Sequence, residues 1–296
     1  MVLSINIPVY NIEVTNLVLT LHDQARSSGI EYEIRIYDDG SAEAIKEKNR
    51  LVAGEKNIFY YESEKNIGRA AIRNKMGLDS TGSYLLFIDA DSKIISDDYL
   101  KIYLHHAGPG KVLCGGTAYS DEKPASDKIL RWVYGHHREA IPASVRNSKK
   151  GFIITSNNFL IDRQIFERIH FREIPGPYGH EDTLLGFDLY AAGIIPQHTD
   201  NPVEHTGLED SLTFLNKTKA ALENLKYISE NILSGSPEFQ QQINFLRQYN
   251  KITRFIPPAL IRLIFKTCRK RIEKNLTGRN PRLSCFDLYK LGYYSS

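Results

Sequence analysis

The stretch Leu85-Leu86-Phe87-Ile88-Asp89-Ala90-Asp91 decides how this chain is read. Four apolar residues in succession predict a strand buried on both faces, as in a parallel sheet covered by helices. Two carboxylates then stand one residue apart at its C-terminal end. In open parallel sheets, ligands bind just outside that end of the strands. Aspartates at i and i+2 can both reach one hard cation and the phosphate oxygens beside it. Aspartate is also a common turn former, so the pair alone reads better as a solvated turn. Its surroundings carry the argument.

Upstream, Val2-Leu3-Ser4-Ile5-Asn6-Ile7 predicts a first strand, ended by Pro8-Val9-Tyr10-Asn11 because proline cannot donate to a ladder. Asn11 is placed to cap a helix whose apolar positions Val14, Leu17, Val18 and Leu21 recur at helical spacing, with Gly29 as its stop. Tyr32 to Tyr37 reads as a second strand ending in Asp38-Asp39-Gly40-Ser41. A helix over Ala44–Val52 and a strand over Ile58–Tyr61 follow. Asn66-Ile67-Gly68-Arg69-Ala70-Ala71-Ile72-Arg73-Asn74 then reads as a turn entering a helix. Strands alternating with such helices predict parallel βαβ units, an α/β sheet. The strand ends at Pro8–Tyr10, Asp38–Ser41 and Asp89–Asp91 then share one edge. There Tyr10 can stack on a base, Asp38 or Asp39 can accept from a base N–H, and Arg73 can pair with phosphate.

Composition excludes several classes. The balance is that of an ordinary globular chain, 42% hydrophobic and 25% charged, and 296 residues allow one large α/β domain, or one domain with an appendage. A net charge of +3 is too mild to imply nucleic acid. Cys114, Cys268 and Cys285 are far apart and odd in number, which reads as free thiols of a reducing compartment. The first residues read as a strand, not a leader, and no apolar run approaches the ~18 residues of a membrane span. The expected location is therefore cytoplasmic. No Gly-x-Gly-x-x-Gly or Walker-type loop follows the first strand, which argues against a dinucleotide dehydrogenase and a P-loop NTPase.

The second half is less regular. Lys111 to Tyr119 contains a strand and the pair Gly115-Gly116, and Asp127 to Glu139 predicts a helix carrying Trp132. Its neighbours His136 and His137 point apart on a helix and cannot chelate one ion well. Phe152 to Ile161 reads as a strand interrupted by Ser156-Asn157-Asn158. Gly176-Pro177-Tyr178-Gly179-His180-Glu181-Asp182 delivers two adjacent acids to a helix start, where acids are also simply good dipole partners. Pro202-Val203-Glu204-His205-Thr206 places one histidine after a short strand, a position more often structural than ligating.

Together these stretches resemble the family 2 glycosyltransferases of the GT-A fold. The matching order is Ile7-Pro8-Val9-Tyr10-Asn11, Tyr37-Asp38-Asp39-Gly40-Ser41, Asn66-Ile67-Gly68 with Arg73-Asn74, Phe87-Ile88-Asp89-Ala90-Asp91, Ser156-Asn157-Asn158, and Gly179-His180-Glu181-Asp182. Each motif is weak and the ordered set is specific. The resemblance implies a nucleotide-diphospho-sugar transferase domain over residues 1–208, a Rossmann-like mostly parallel sheet with flanking helices. Residues 209–296 form a C-terminal helical extension. It implies transfer of a sugar from a nucleotide-sugar donor, UDP-hexose or UDP-N-acetylhexosamine first, to a glycan or lipid-linked glycan acceptor.

In that reading Pro8, Tyr10, Asp38, Asp39, Gly68, Arg73 and Asp89 hold the nucleotide sugar. Asp91 binds Mn²⁺ or Mg²⁺, Asp89 contacts ribose or metal, and His205 stands where related enzymes sometimes supply a histidine ligand. Asp182, with Glu181 as fallback, is the base that takes the acceptor proton in a single inverting displacement. A metal-held diphosphate leaving group dispenses with the paired acid of glycosidases. Asn157 and Asn158 line the acceptor side, and Gly176 and Gly179 let the Asp182 loop close.

In the extension, Leu212 to Ile232, Phe239 to Tyr249 and Ala259 to Lys274 show helical spacing. The last sets Leu260, Leu263, Ile264 and Phe265 beside Arg262, Lys266, Arg269, Lys270, Arg271 and Lys274. A basic amphipathic helix of this kind either lies on an anionic membrane, at its inner face, or packs on the catalytic domain. Two rival functions are a catalytically silent GT-A domain that binds a nucleotide sugar or partner, and a nucleotidylyltransferase. The full set of acids argues against the first. Pro8-Val9-Tyr10-Asn11, in place of a glycine-rich basic loop, argues against the second.

Overall fold

The computed structural model describes residues 2–148, 151–152, 154–174 and 179–296. Its ten strands among these residues are β1 (Val2–Val9), β2 (Glu31–Asp38), β3 (Ile58–Glu62), β4 (Tyr84–Ile88), β5 (Ser92–Ile94), β6 (Val112–Cys114), β7 (Thr117–Ala118), β8 (Asn158–Asp162), β9 (Gln197–His198) and β10 (Val203–His205). Seven form one sheet in the order β3-β2-β1-β4-β8-β6-β9. The first four run parallel, and β8 is antiparallel to both its neighbours. A small sheet, β5-β10-β7, starts where β4 ends. The expected α/β architecture is present: a GT-A, Rossmann-like sheet with flanking helices and a C-terminal run of helices.

The four apolar residues of β4 are wholly buried, Leu86 and Ile88 in one core and Leu85 and Phe87 in the other, so both faces of the strand are covered. Phe87 stacks on Phe159 of β8 at 4.9 Å between ring centroids. The helix Thr15–Ser27 lays Leu17, Val18 and Leu21 on one face of the sheet. The helix Arg69–Leu78 lays Ile72 and Met76 on the other.

Two local expectations fail for identifiable reasons. Pro8 does not end β1, which continues to Val9. Val9 accepts from Asp39 N on the β2 side, so Pro8 turns its missing N–H toward β4, where pairing has already stopped at Asn6 and Phe87. Asn11 does not cap the first helix. Its Oδ1 accepts from Ala42 N at 2.8 Å and its own N–H donates to Ser41 Oγ at 2.7 Å, which ties the β1 end to the β2 end. Asn49, from the next helix, accepts from Val14 N in its place. Gly29 does follow the helix, in the left-handed region at φ 63°.

Contacts divide the chain into two units. One comprises residues up to Ser120, Glu139–Glu173 and Glu181–Gly207; the other comprises Asp121–Arg138, Ile174–His180 and Leu208–Ser296. The second is helical, with Ile129–Tyr134, Ser211–Tyr227, Pro237–Gln242, Asn244–Thr253, Pro258–Leu276 and Leu283–Tyr294. Its core gathers Leu130, Phe214, Leu215, Phe265, Ile272, Leu276, Phe286 and Tyr289. Phe265 is thus a core residue and not part of an outer apolar face. The helix Leu283–Tyr294 lies beyond the expected elements. It is poor in strong helix formers and is held by packing: a Cβ on Gly292 would lie 2.1 Å from the Phe265 ring. Among the described residues no helix is long and apolar enough to cross a membrane.

Candidate active site

The end of β4 carries Asp89, Ala90 and Asp91 directly into β5. Antiparallel pairing sets His205 of β10 opposite Ser92, so the histidine arrives beside Asp91. His205 Nε2 stands 3.3 Å from Asp91 Oδ2. The following residues complete the grip: Thr206 donates both its N–H and its hydroxyl to the Asp91 carbonyl, each at 2.8 Å. Gly207 then passes so close that a Cβ there would fall 2.4 Å from Asp91 Oδ2. Burial raises the Asp91 pKa, but the hydrogen bond and charge of His205, with Arg69 beyond, outweigh it and hold the group below the usual carboxylate range. His205 Nδ1 is buried without a hydrogen-bond partner, and the Tyr119 ring lies 5.6 Å from the imidazole.

Asp89 has a different role. Arg73 pairs with its Oδ1 and Arg69 approaches its Oδ2 at 3.5 Å. Both arginines come from the helix Arg69–Leu78, one turn apart, and Arg73 is almost wholly buried. Asp89 N donates to Asn157 O at 3.1 Å, which fixes the loop before β8 against the strand end. The side chain of Asn157 donates to Thr117 Oγ1. Asn158 is not available to an acceptor. It has no exposed surface, takes hydroxyl protons from Tyr99 and Tyr103, and donates to the carbonyls of Gly116 and Asn201. Its expected role is corrected to that of a core linker under the site.

Asp182 sits in the first turn of the helix Glu181–Ala191, beside Glu181. Burial foremost, then the neighbouring Glu181 charge, pushes it up to about 6, against Thr183 N–H, Arg69 and Arg73, which favour the anion. The arginines that hold Asp89 therefore lie within the field of Asp182, which brings both carboxylates to one end of the sheet. Of the glycines expected to free this segment, Gly176 lies outside the described residues. Gly179, at φ 107°, answers a close approach: a Cβ there would stand 2.9 Å from Ala221.

The other strand ends are less open. Asp38 has no exposed surface; it accepts from Ser41 N at 2.7 Å and Tyr60 OH at 3.0 Å. Contact with a base is therefore removed from Asp38. Asp39 is nearly buried, its oxygens taken by Ile67 N and Gly68 N, and burial raises its pKa despite those bonds. Those bonds hold the turn that starts the helix at Gly68, whose φ of 96° suits glycine. Pro8 is half-buried beside Tyr37 in the register, and Tyr10 is 52% exposed at the same edge.

The donors suit a hard or borderline divalent cation. Cis ligands on Mn²⁺ or Mg²⁺ at about 2.0–2.1 Å from the metal stand about 3 Å apart, which the Asp91–His205 pair approximates. Groups of three or more metal-ligating side chains are absent among the described residues. Sequence reasoning missed Arg69, Thr206 and Gly207. Gly207 carries a readable signal, a glycine two residues after the candidate ligand.

Residues 4–170 match the family described as glycosyl transferase family 2, more than half of the chain. The chain belongs to that family. An uncharacterized glycosyltransferase of Rickettsia felis is 30% identical over 116 residues, 39% of this chain and 19% of that protein. This chain thus spans about a fifth of that relative's length. EpsH of Bacillus subtilis, which carries a provisional glycosyltransferase name, is 27% identical over 84% of this chain and 72% of its own. Among solved structures, the mannosyltransferase PcManGT of Pyrobaculum calidifontis, in complex with GDP-Man and Mn²⁺, superposes with a TM-score of 0.62 at 14% identity, covering 99% of this chain and 85% of that one. TarS of S. aureus with UDP-GlcNAc gives 0.51 at 18% identity, covering 99% and 90%. At these identities the two structures share the fold with this chain.

Proposed function

We propose that this chain is an inverting glycosyltransferase that moves a hexose or N-acetylhexosamine from a nucleoside-diphosphate donor to a hydroxyl of a cell-surface glycan or lipid-linked glycan. The observation that carries the reading is the Asp91–His205 contact at 3.3 Å beside Asp89, at the sheet end whose arginines also act on Asp182. Asp91 and His205 would hold Mn²⁺ or Mg²⁺. The cation would neutralise charge on the departing diphosphate. Arg69 and Arg73 orient Asp89 toward the ribose side, and Tyr10 offers a face to the base. Asp182, raised toward neutrality, is suited to accept the proton of the attacking hydroxyl. Asn157 borders the acceptor.

UDP is the first choice of nucleotide, and GDP is the second because the Pyrobaculum calidifontis mannosyltransferase is solved with GDP-Man. The deciding experiment is calorimetry with UDP, GDP and dTDP, with and without Mn²⁺. Metal-dependent binding of one nucleotide, lost in Asp91→Ala, is the expected result. If no nucleotide binds with metal, the transferase reading fails.

A further inference from the structure

Between Glu238 and Glu273 the chain carries no acidic residue and eight basic ones, Arg247, Lys251, Arg254, Arg262, Lys266, Arg269, Lys270 and Arg271. In the middle of this run, Arg254 to Leu260 are all exposed. Phe255 is 83% exposed, and Ile256, Leu260, Leu263 (59%) and Ile264 are exposed with it. The helix Pro258–Leu276 anchors itself by its opposite face, where Ile261, Phe265, Ile272 and Leu276 are buried. That spacing of four, seven and four residues puts the anchors on one stripe and turns Leu263 away from them. Pro257 is extended at the N-cap and Pro258 is the first helical residue, while Phe255 N and Ile256 N donate back to Ile252 O, so both side chains precede the helix.

Exposed side chains this large, contiguous and uninterrupted by acids are not an ordinary solvated surface. We infer that the segment Arg254–Arg271 docks on an anionic lipid bilayer. Phe255, Ile256, Leu260, Leu263 and Ile264 enter the headgroup region, and Arg254, Arg262, Lys266, Lys270 and Arg271 meet lipid phosphates around them. Charge complementarity selects the occupant. Lipid headgroups offer many equivalent negative charges to cations spread over several helical turns, and the acyl boundary accepts protruding apolar side chains without needing a matching pocket. The same helix also turns Lys266 and Arg269, the latter paired with Glu273 at 2.8 Å, to a cavity of ≈ 400 Å³ that Lys219, Lys226 and Glu223 also line.

This inference does not rest on sugar transfer, because its test needs no donor. The full chain is sedimented with vesicles of phosphatidylcholine alone and with vesicles that also contain phosphatidylglycerol. Partition onto the second only, weakened by added salt, is expected. The doubly substituted F255S/L263S chain changes two exposed residues, so its fold is preserved. It should bind about a hundredfold more weakly, roughly tenfold for each apolar anchor. Leu51→Ser, equally exposed but in the sheet-bearing unit, should change nothing. The inference is overturned by absent partition, by equal partition onto both vesicles, or by an unchanged F255S/L263S. It is also overturned if the native chain is a dimer in solution that F255S/L263S dissociates, since a second copy would then cover the face.

Discussion

Two pairs of carboxylates close neighbouring parts of the same sheet. Asp38 and Asp39 end β2; Asp89 and Asp91 end β4 and flank Ala90; β1 runs between the two strands. In sequence both read as acids at a strand end. In the structure the first pair is consumed: its oxygens accept from Ser41 N, Ile67 N, Gly68 N and Tyr60 OH, and little surface remains. The second pair meets cationic and imidazole side chains, with Asp91 a quarter exposed. Backbone donors fix a carboxylate as a loop staple. Side-chain donors such as His205 can turn to share it with a ligand. The partner's chemistry, more than the acid itself, separates scaffold from site.

Substitution of Asp91 and of Asp38 tests this division most severely. Asp91→Ala is expected to lower transfer about a thousandfold or more, because several kcal/mol of leaving-group stabilisation depends on the cation. Its unfolding midpoint in urea should barely move. Asp38→Ala should do the reverse. Ser41 N and Tyr60 OH lose their acceptor at about 1–3 kcal/mol each, so stability falls by roughly 2–6 kcal/mol and the loss of activity follows the loss of fold. If Asp91→Ala unfolds the protein, or Asp38→Ala abolishes metal-dependent nucleotide binding in a stable chain, the two pairs have been assigned the wrong way round.

Asp182 gives the next largest effect and a sign that differs between rate and stability. A base must be ionised, so kcat/KM should rise with pH and level off above an apparent pKa near 6. Asp182→Asn should cost about 10²–10³ in rate and abolish that limb. The folded pKa lies above the ordinary 3.8, so the group's stabilising contribution is present below that value and is lost as pH rises through about 6. Asp182→Asn should therefore raise stability at neutral pH. The gain is on the order of 1 kcal/mol, discounted because the residue is partly exposed. A rate profile flat from pH 5 to 8 in the native enzyme would remove Asp182 from the base role.

Much of this was legible in residue order. The apolar run of β4, buried on both faces, fixes the centre of the sheet, and the helix after Gly68 begins where its turn predicts. What was not legible depends on contacts distant in sequence. Asn11 caps nothing because Ser41 and Ala42 reach it first. Asn158 reads as a polar interruption yet is a hub for two tyrosines 55 and 59 residues earlier. Leu283–Tyr294 is a helix because Phe265 and its neighbours receive it. Arg69 is one more solvated helix residue until β4 brings Asp89 to it.

Gly207 gives a moderate effect on the same comparison. A methyl at 2.4 Å from Asp91 Oδ2 must move the carboxylate or the strand end that carries His205. Gly207→Ala should therefore weaken metal-dependent nucleotide binding about ten- to a hundredfold without loss of fold. Raising the Mn²⁺ concentration should recover part of the lost activity. An Asp91→Ala chain, which lacks the ligand altogether, should not recover. Equal rescue of both would mean that Asp91 is not the group the metal meets.

The smallest effect is expected at Asp39, and it sharpens the distinction between a staple and a site. Asn in place of Asp39 keeps one acceptor for Ile67 N or Gly68 N and presents an amide N–H₂ to the other, a donor facing a donor. Part of that cost is offset, because the native carboxylate is itself raised by burial and the neutral amide avoids the desolvation. The net loss of stability should be about 1 kcal/mol. Because these bonds hold the turn that starts the Arg69–Leu78 helix, the functional effect reaches the site through Arg69 and Arg73. Nucleotide affinity should fall a few-fold with its metal dependence unchanged. A change in base preference instead, UDP against GDP, would show that the remaining surface of Asp39 touches the base, and would move this one residue from scaffold to site.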